Sequence, residues 1–107
     1  MTVDLVSETE LAPAVRALAD PLRTRIVELL ATEQLCVCHL TEELDVAQPL
    51  VSHHLKVLRE AGLVESERWR YWTYYRLRPD ALRVLAVRLE SLAASAPTDT
   101  HERRPCC

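Results

Sequence analysis

Apolar residues recur at helical intervals along most of the chain and switch to a strand-like pattern only once. Leu11, Val15 and Leu18 share one helical face behind Ser7-Glu8-Thr9-Glu10, which has capping-box spacing, so a first helix is predicted to about Ala19. Asp20-Pro21 supplies an N-cap acceptor and a first-turn proline, and Leu22, Ile26, Leu29 and Leu30 form the apolar stripe of a second helix. A third, short helix carries Val37, Leu40 and Leu44, with Cys36 and Cys38 at its start, and stops at Asp45-Val46-Ala47. The next helix opens at Gln48-Pro49; its Val51, His54, Leu55 and Leu58 fall at i, i+3, i+4 and i+7 and point inward. Gly62, the only glycine, falls where a helix needs a left-handed C-terminal residue. Beyond it, Leu63 to Arg68 and Tyr71 to Leu77 are rich in Val, Trp, Thr and Tyr, a composition that favours two strands of a hairpin. Pro79-Asp80 opens a last helix with Leu82, Leu85, Ala86, Leu89 and Leu92 on one face, which is either dimer interface or core, and Ala96-Pro97 ends it.

Two helices joined by the tight turn at Asp45-Val46-Ala47 and followed by a hairpin describe a mostly α chain with a small β wing, a winged helix-turn-helix. At 107 residues the chain fits one domain, predicted over 1–96, with a polar, proline-containing tail over 97–107 that carries Cys106 and Cys107. A core of this size is only marginally adequate, so a homodimer joined through the terminal helices is expected. No apolar run is long enough for a membrane span and the start lacks the basic region of a secretory signal, so a cytoplasmic protein is expected. The four cysteines staple nothing together, two lying at a helix start and two at the last positions, which fits reduced thiols better than disulfides.

The net charge of -3 conceals an uneven distribution. Residues 1–47 carry Arg16, Arg23 and Arg25 against nine acids, a net of -6, whereas residues 48–77 carry Lys56, Arg59, Arg68, Arg70 and Arg76 against Glu60, Glu65 and Glu67, a net of +2. Affinity for DNA depends on the local field facing the phosphates, so the basic segment is the candidate surface. With Val51, His54, Leu55 and Leu58 turned inward, Gln48, Ser52, His53, Lys56 and Arg59 occupy the outer face of the fourth helix. Gln48, Ser52 and His53 are expected at base edges or phosphates, Lys56 and Arg59 at phosphates. Arg68 and Arg70 at the wing are expected in a minor groove or on its phosphates. His54, on the apolar stripe, is read as a structural hydrogen-bonding residue, and His39 as a solvated side chain that could also complete a zinc or cadmium site.

The stretch from Leu35 to Leu77 resembles the ArsR/SmtB family of winged helix-turn-helix repressors. Leu35-Cys36-Val37-Cys38-His39-Leu40 looks like the thiol motif of its arsenic-responsive and its cadmium- or lead-responsive branches, and Gln48 to Val64 looks like its recognition helix and exit. Ala19-Asp20-Pro21 with Arg23 is similar to the opening of its second helix. The resemblance implies a homodimeric repressor that binds double-stranded operator DNA without a cofactor and leaves it when a toxic ion binds. The chain departs from the family pattern at Trp69-Arg70, where a wing-tip glycine is common, at His39, where an acid is common, and at Thr41, where some arsenic sensors have a further cysteine.

Thiolates select soft, thiophilic ions, and the resemblance to the arsenic-responsive branch implies As(III) or Sb(III) as the inducer. Such an ion takes three sulfurs in a pyramid, and Cys36 and Cys38 then need a partner from Cys106 or Cys107. Residues i and i+2 of a regular helix lie about 200° apart, so capture of both Cys36 and Cys38 is expected to unwind or shift the first turn of the third helix and move the helix packed on it. The alternatives within this fold are cadmium or lead sensing and a thiol redox switch at the adjacent Cys106 and Cys107. The zinc branch is disfavoured, because resemblance to it implies Asp and His ligands on the last helix and this chain offers Asp80 with no histidine before His101. An enzyme is not expected: an arsenate-reductase loop would resemble a cysteine with an arginine six positions on, and Glu42 and Leu44 stand there instead. A metallochaperone would leave the helix-turn-helix and wing unexplained.

Overall fold

The computed structural model describes residues 11–98 and 103–106, so the capping box at Ser7 to Glu10 and the thiol of Cys107 lie outside the described residues. The chain folds as α1 (described over residues 11–18), α2 (Pro21–Leu30), β1 (Leu35–Cys36), α3 (Val37–Leu44), α4 (Gln48–Glu60), β2 (Val64–Trp69), β3 (Trp72–Leu77) and α5 (Pro79–Ser95). Each helix boundary has a local cause. The Asp20 carboxylate accepts the N–H groups of Leu22 at 2.8 Å and Arg23 at 3.1 Å, filling two of the unpaired donors at the start of α2. These bonds to the charged form, that from Arg23 foremost, hold the Asp20 carboxyl below its ordinary range.

α3 ends at Asp45 in the left-handed region, φ 54°, and the chain turns through Val46 and Ala47 into α4. α4 ends in a Schellman motif: Gly62 N–H donates to Arg59 O at 3.0 Å and Leu63 N–H to Leu58 O at 3.1 Å, with Gly62 at φ +80°. Leu58 and Leu63 are both fully buried, the apolar contact that usually accompanies this cap.

The sheet is three-stranded and antiparallel in the order β1-β3-β2. β2 and β3 pair from Val64↔Leu77 to Trp69↔Trp72, leaving Arg70 and Tyr71 as a two-residue turn. The turn lacks the usual glycine and instead places Arg70 at φ 58°, a conformation that costs a side-chain-bearing residue about 1–2 kcal/mol. The arginine head lies over the Trp69 ring, 4.9 Å from its centroid, a cation–π contact that offsets part of this cost. β1 has no counterpart in the sequence pattern: Leu35 and Cys36 pair with Tyr75 and Tyr74, so Cys36 belongs to a strand and not to the turn of a helix. Two residues between a turn and a helix are too few to display an alternating pattern.

Ile26 and Leu30 of α2, Leu40 of α3, Val51, Leu55 and Leu58 of α4, Leu63, Val64 and Leu85 form one core with Ala14, Ala17 and Leu35. The stripe of α5 enters it only at its first half. Leu85 is buried and Leu82 half-buried, while Leu89 and Leu92 are 53% and 63% exposed, which leaves an apolar helix face open on the single chain. No helix among the described residues is long and apolar enough to cross a membrane.

Candidate nucleic-acid interface and thiol site

The inward face of α4 is Val51, His54, Leu55 and Leu58, all buried, and this fixes the roll of the helix. Gln48, Ser52, His53, Lys56 and Arg59 are exposed in consequence, on the second helix of the helix-turn-helix. Arg68 and Arg70 are exposed at the end of the wing. Arg76 belongs to a different set: its Nε donates to Glu65 Oε1 at 2.7 Å, the bond that raises its pKa above the ordinary value, and Glu67 lies 3.8 Å away. Among the described residues, the positive groups of the wing without an acidic partner, Arg68 and Arg70, are therefore towards its tip.

Among the described residues His54 is the buried polar side chain of the core, and its partner is Arg23, whose Nη1 lies 3.0 Å from Nδ1. An arginine can only donate, so Nδ1 accepts and the imidazole is neutral with its proton on Nε2. Burial lowers the His54 pKa; the Asp20 carboxylate opposes this, and Arg23 and His53 add to it. Arg23 also donates from Nε to Ala17 O at 2.7 Å and from Nη2 to Arg16 O at 3.4 Å, so one guanidinium ties the end of α1 to the middle of α4. The resemblance at Arg23 implies no such role; the sequence signal for it is a histidine in the buried phase of a helix, which needs a donor.

Cys36 is the N-cap of α3, in an extended conformation at φ -92° and ψ 170°, and is buried. Cys38 and Cys106 are exposed free thiols. The geometry thus corrects the premise that Cys36 and Cys38 lie on one regular helix: Cys36 is outside it, held by the pairing of β1 with β3. His39, read from the sequence as solvated, is exposed but engaged. Its Nδ1 accepts the Cys36 N–H at 3.2 Å and lies 3.2 Å from the Cys36 Sγ. The sequence does carry the spacing of an N-cap and its third helical residue here, but neither cysteine nor histidine is a common capping type, so the spacing alone does not announce the pair.

For a pyramidal trithiolate ion the described residues supply the right donor chemistry in part. Two soft sulfurs stand two positions apart at a helix start, but among the described residues no three His, Cys, Asp or Glu side chains are arranged to hold a metal ion. A complete site needs a donor from beyond this arrangement; Cys106 is an exposed thiol in no disulfide.

A short helix, a turn, an exposed polar helix and a hairpin at the sheet edge define a winged helix-turn-helix protein. The chain belongs to the arsR family of bacterial regulatory proteins, whose family model matches residues 20–66. It is 48% identical over 66 residues to the arsenic resistance transcriptional regulator ArsR1 of Pseudomonas putida, a match covering 61% of this chain and 52% of that protein. The matched stretch thus spans about half the length of that curated relative. Among solved structures, an ArsR-like transcriptional regulator from Rhodococcus sp. RHA1 superposes with a TM-score of 0.76 at 31% identity, covering 81% of this chain and 82% of that one. The homodimeric winged helix-turn-helix DNA-binding domain Mb0332 from Mycobacterium bovis superposes with a TM-score of 0.67 at 26% identity, covering 89% of each chain. The family is one of transcriptional regulators, which removes the arsenate-reductase alternative.

Proposed function

We propose that this chain is a dimeric transcriptional repressor that binds double-stranded operator DNA through α4 and the wing and releases it when As(III) or Sb(III) is captured by thiolates. The observation that carries this reading is the juxtaposition of α4, with Gln48, Ser52, His53, Lys56 and Arg59 exposed, and the preceding helix α3, with Cys36 as its N-cap and Cys38 in its first turn. Gln48, Ser52 and His53 meet base edges or phosphates, Lys56 and Arg59 meet phosphates, and Arg68 and Arg70 enter a minor groove or touch its phosphates. No cofactor is needed for DNA binding. The open apolar face of α5, with Leu89 and Leu92 exposed, supports dimerisation, as does the homodimeric neighbour from M. bovis. A dimer of this kind spans two half-sites about one helical turn apart, so a small change in the placement of its reading elements weakens binding.

Cys36 and Cys38 supply two thiolates and Cys106 or Cys107, in the tail that follows residue 97, supplies the third. Each As–S bond forms as one As–OH departs as water with the thiol proton. The name of the P. putida relative supports an arsenic inducer. A second reading, release by cadmium or lead, is favoured by one observation: the His39 nitrogen beside the Cys36 sulfur is a donor that suits a divalent ion with mixed nitrogen and sulfur ligands.

The test is fluorescence anisotropy of the promoter DNA bound to the reduced protein, titrated in parallel with arsenite, antimonite, cadmium, lead and zinc. Release by arsenite or antimonite and not by zinc is expected. Release by cadmium or lead alone transfers the protein to the second reading, release by peroxide without metal makes it a thiol redox switch, and absence of specific DNA binding overturns the repressor assignment.

A further inference from the structure

The thiol site and the wing share a strand pairing, and this joins the two halves of the repressor reading on which the present inference rests. Cys36 is the Cα partner of Tyr74 and Leu35 of Tyr75, so β1 is the third strand of the sheet whose other two strands are the wing. From Tyr74 the ladder runs through Thr73, opposite Arg68, to Trp72, opposite Trp69, and so to the turn at Arg70. The His39 ring that holds the Cys36 N–H also faces the Tyr74 ring, with centroids 6.4 Å apart.

Cys36 is 7% exposed whereas Cys38 is exposed, so a surface site shared by the two sulfurs requires Cys36 to leave its present burial. Drawing the Cys36 sulfur out to a site shared with Cys38 takes the side chain off His39 and turns the backbone at residue 36. β1 has only two residues with which to resist. Without β1 the wing is a two-stranded hairpin whose base stays anchored in the core by Val64, Tyr75 and Leu77, while its outer half, from Tyr74 to the turn, keeps only its own ladder, a pairing of marginal stability in water.

We propose that β1 is the transmission element: capture of Cys36 lifts Leu35–Cys36 from β3 and loosens the wing, so that Arg68 and Arg70 lose their fixed placement on DNA. Release then begins at the wing and does not require a shift of α4 against α3.

Hydrogen exchange of the full-length reduced protein, with and without arsenite and in the absence of DNA, tests this. Deuterium uptake is expected to rise in residues 72–77 and to stay unchanged in residues 50–60, and the Cys36→Ser variant is expected not to show the rise. Trp69 and Trp72 are the only tryptophans, so intrinsic emission gives a second readout of the wing in the unaltered protein that does not depend on the variant folding. Release of DNA by arsenite with uptake raised in α4 and unchanged in β3 and in emission overturns the inference while leaving the repressor reading intact. Failure of arsenite and antimonite to release bound DNA overturns this inference together with the metalloid part of the repressor reading, and absence of specific DNA binding overturns the repressor reading itself.

Discussion

Arg23 and His54 join the end of α1 to the middle of α4 through a 3.0 Å contact between Nη1 and Nδ1. The contact exists only while the imidazole is neutral, since a protonated Nδ1 would face a guanidinium as a second donor and a second cation. Burial, the largest cause, sets the folded-state pKa of His54 below its unfolded value. The unfolded chain therefore takes up this proton first as the pH falls. The contribution of neutral His54 to stability is complete above about pH 6.5 and declines as the pH drops below it towards the folded-state pKa. Urea unfolding midpoints should fall between about pH 7.5 and 5.5, and His54→Phe should flatten that dependence. An unchanged slope in the variant would assign the acid sensitivity to other groups.

The same pairing predicts the cost of removing its donor. Arg23→Ala leaves a buried acceptor without a partner and also removes the bonds to the carbonyls of Ala17 and Arg16. A loss of about 1–3 kcal/mol is expected for the unsatisfied His54 nitrogen alone. Arg23→Lys should recover little of it, because a single ammonium does not reproduce the fork that reaches all three acceptors. Equilibrium denaturation of the three proteins at neutral pH measures both statements.

Gly62 separates a backbone effect from a packing effect. A Cβ there would meet the Arg78 guanidinium at 3.8 Å, an ordinary contact, so substitution is opposed by conformation and not by space. With φ at +80°, Gly62→Ala should cost about 1–2 kcal/mol and Gly62→Asn less, since asparagine tolerates the left-handed region. Equal losses for the two variants would place the cost in packing.

The parts of this fold that are legible in the sequence are those governed by repetition over several turns or by one residue with a single conformational use. The buried face of α4 follows from four apolar-phase positions, and the end of α4 from one glycine. β1 is not legible, because two residues cannot show a period and their strand character comes from Tyr74 and Tyr75, some forty positions away. For the thiol site this reverses a premise. Spacing suggests two cysteines on one helix, whereas tertiary pairing holds Cys36 in an extended N-cap. Arg23 shows the same limit: its three acceptors lie six, seven and thirty-one residues distant, and only the fold brings them together.

The exposed cations divide into those expected to report on phosphates and those already engaged. Lys56 and Arg59 of α4 are exposed, so replacing either with alanine should weaken binding to all sequences alike. The slope of log affinity against log salt should become shallower by about 0.9 for each phosphate that the dimer no longer neutralises. Gln48→Ala should instead narrow the gap between operator and unrelated DNA, by about 1–3 kcal/mol if its amide pairs with a base. Arg76→Ala should leave the salt slope unchanged, because its guanidinium is bonded to Glu65 in the free protein. Anisotropy titrations over a series of salt concentrations distinguish these three behaviours.

The thiols divide by burial in a way that orders their substitutions. Cys38 and Cys106 are exposed and can be replaced by serine at little cost to the fold, whereas Cys36 lies in the core beside Leu35. If a pyramidal ion is held by Cys36, Cys38 and a tail thiol, Cys38→Ser should abolish release by arsenite while leaving DNA affinity unchanged. Replacing Cys106 and Cys107 together should leave DNA affinity equally intact but lower the sulfur coordination of bound arsenic from three to two, which X-ray absorption at the arsenic edge reads directly. Replacing either tail thiol singly should do less, since the other can take its place. Undiminished three-sulfur coordination in the double variant would rule out the tail and require thiols from both subunits at one site, because Cys36 and Cys38 are then the only thiols left in each chain.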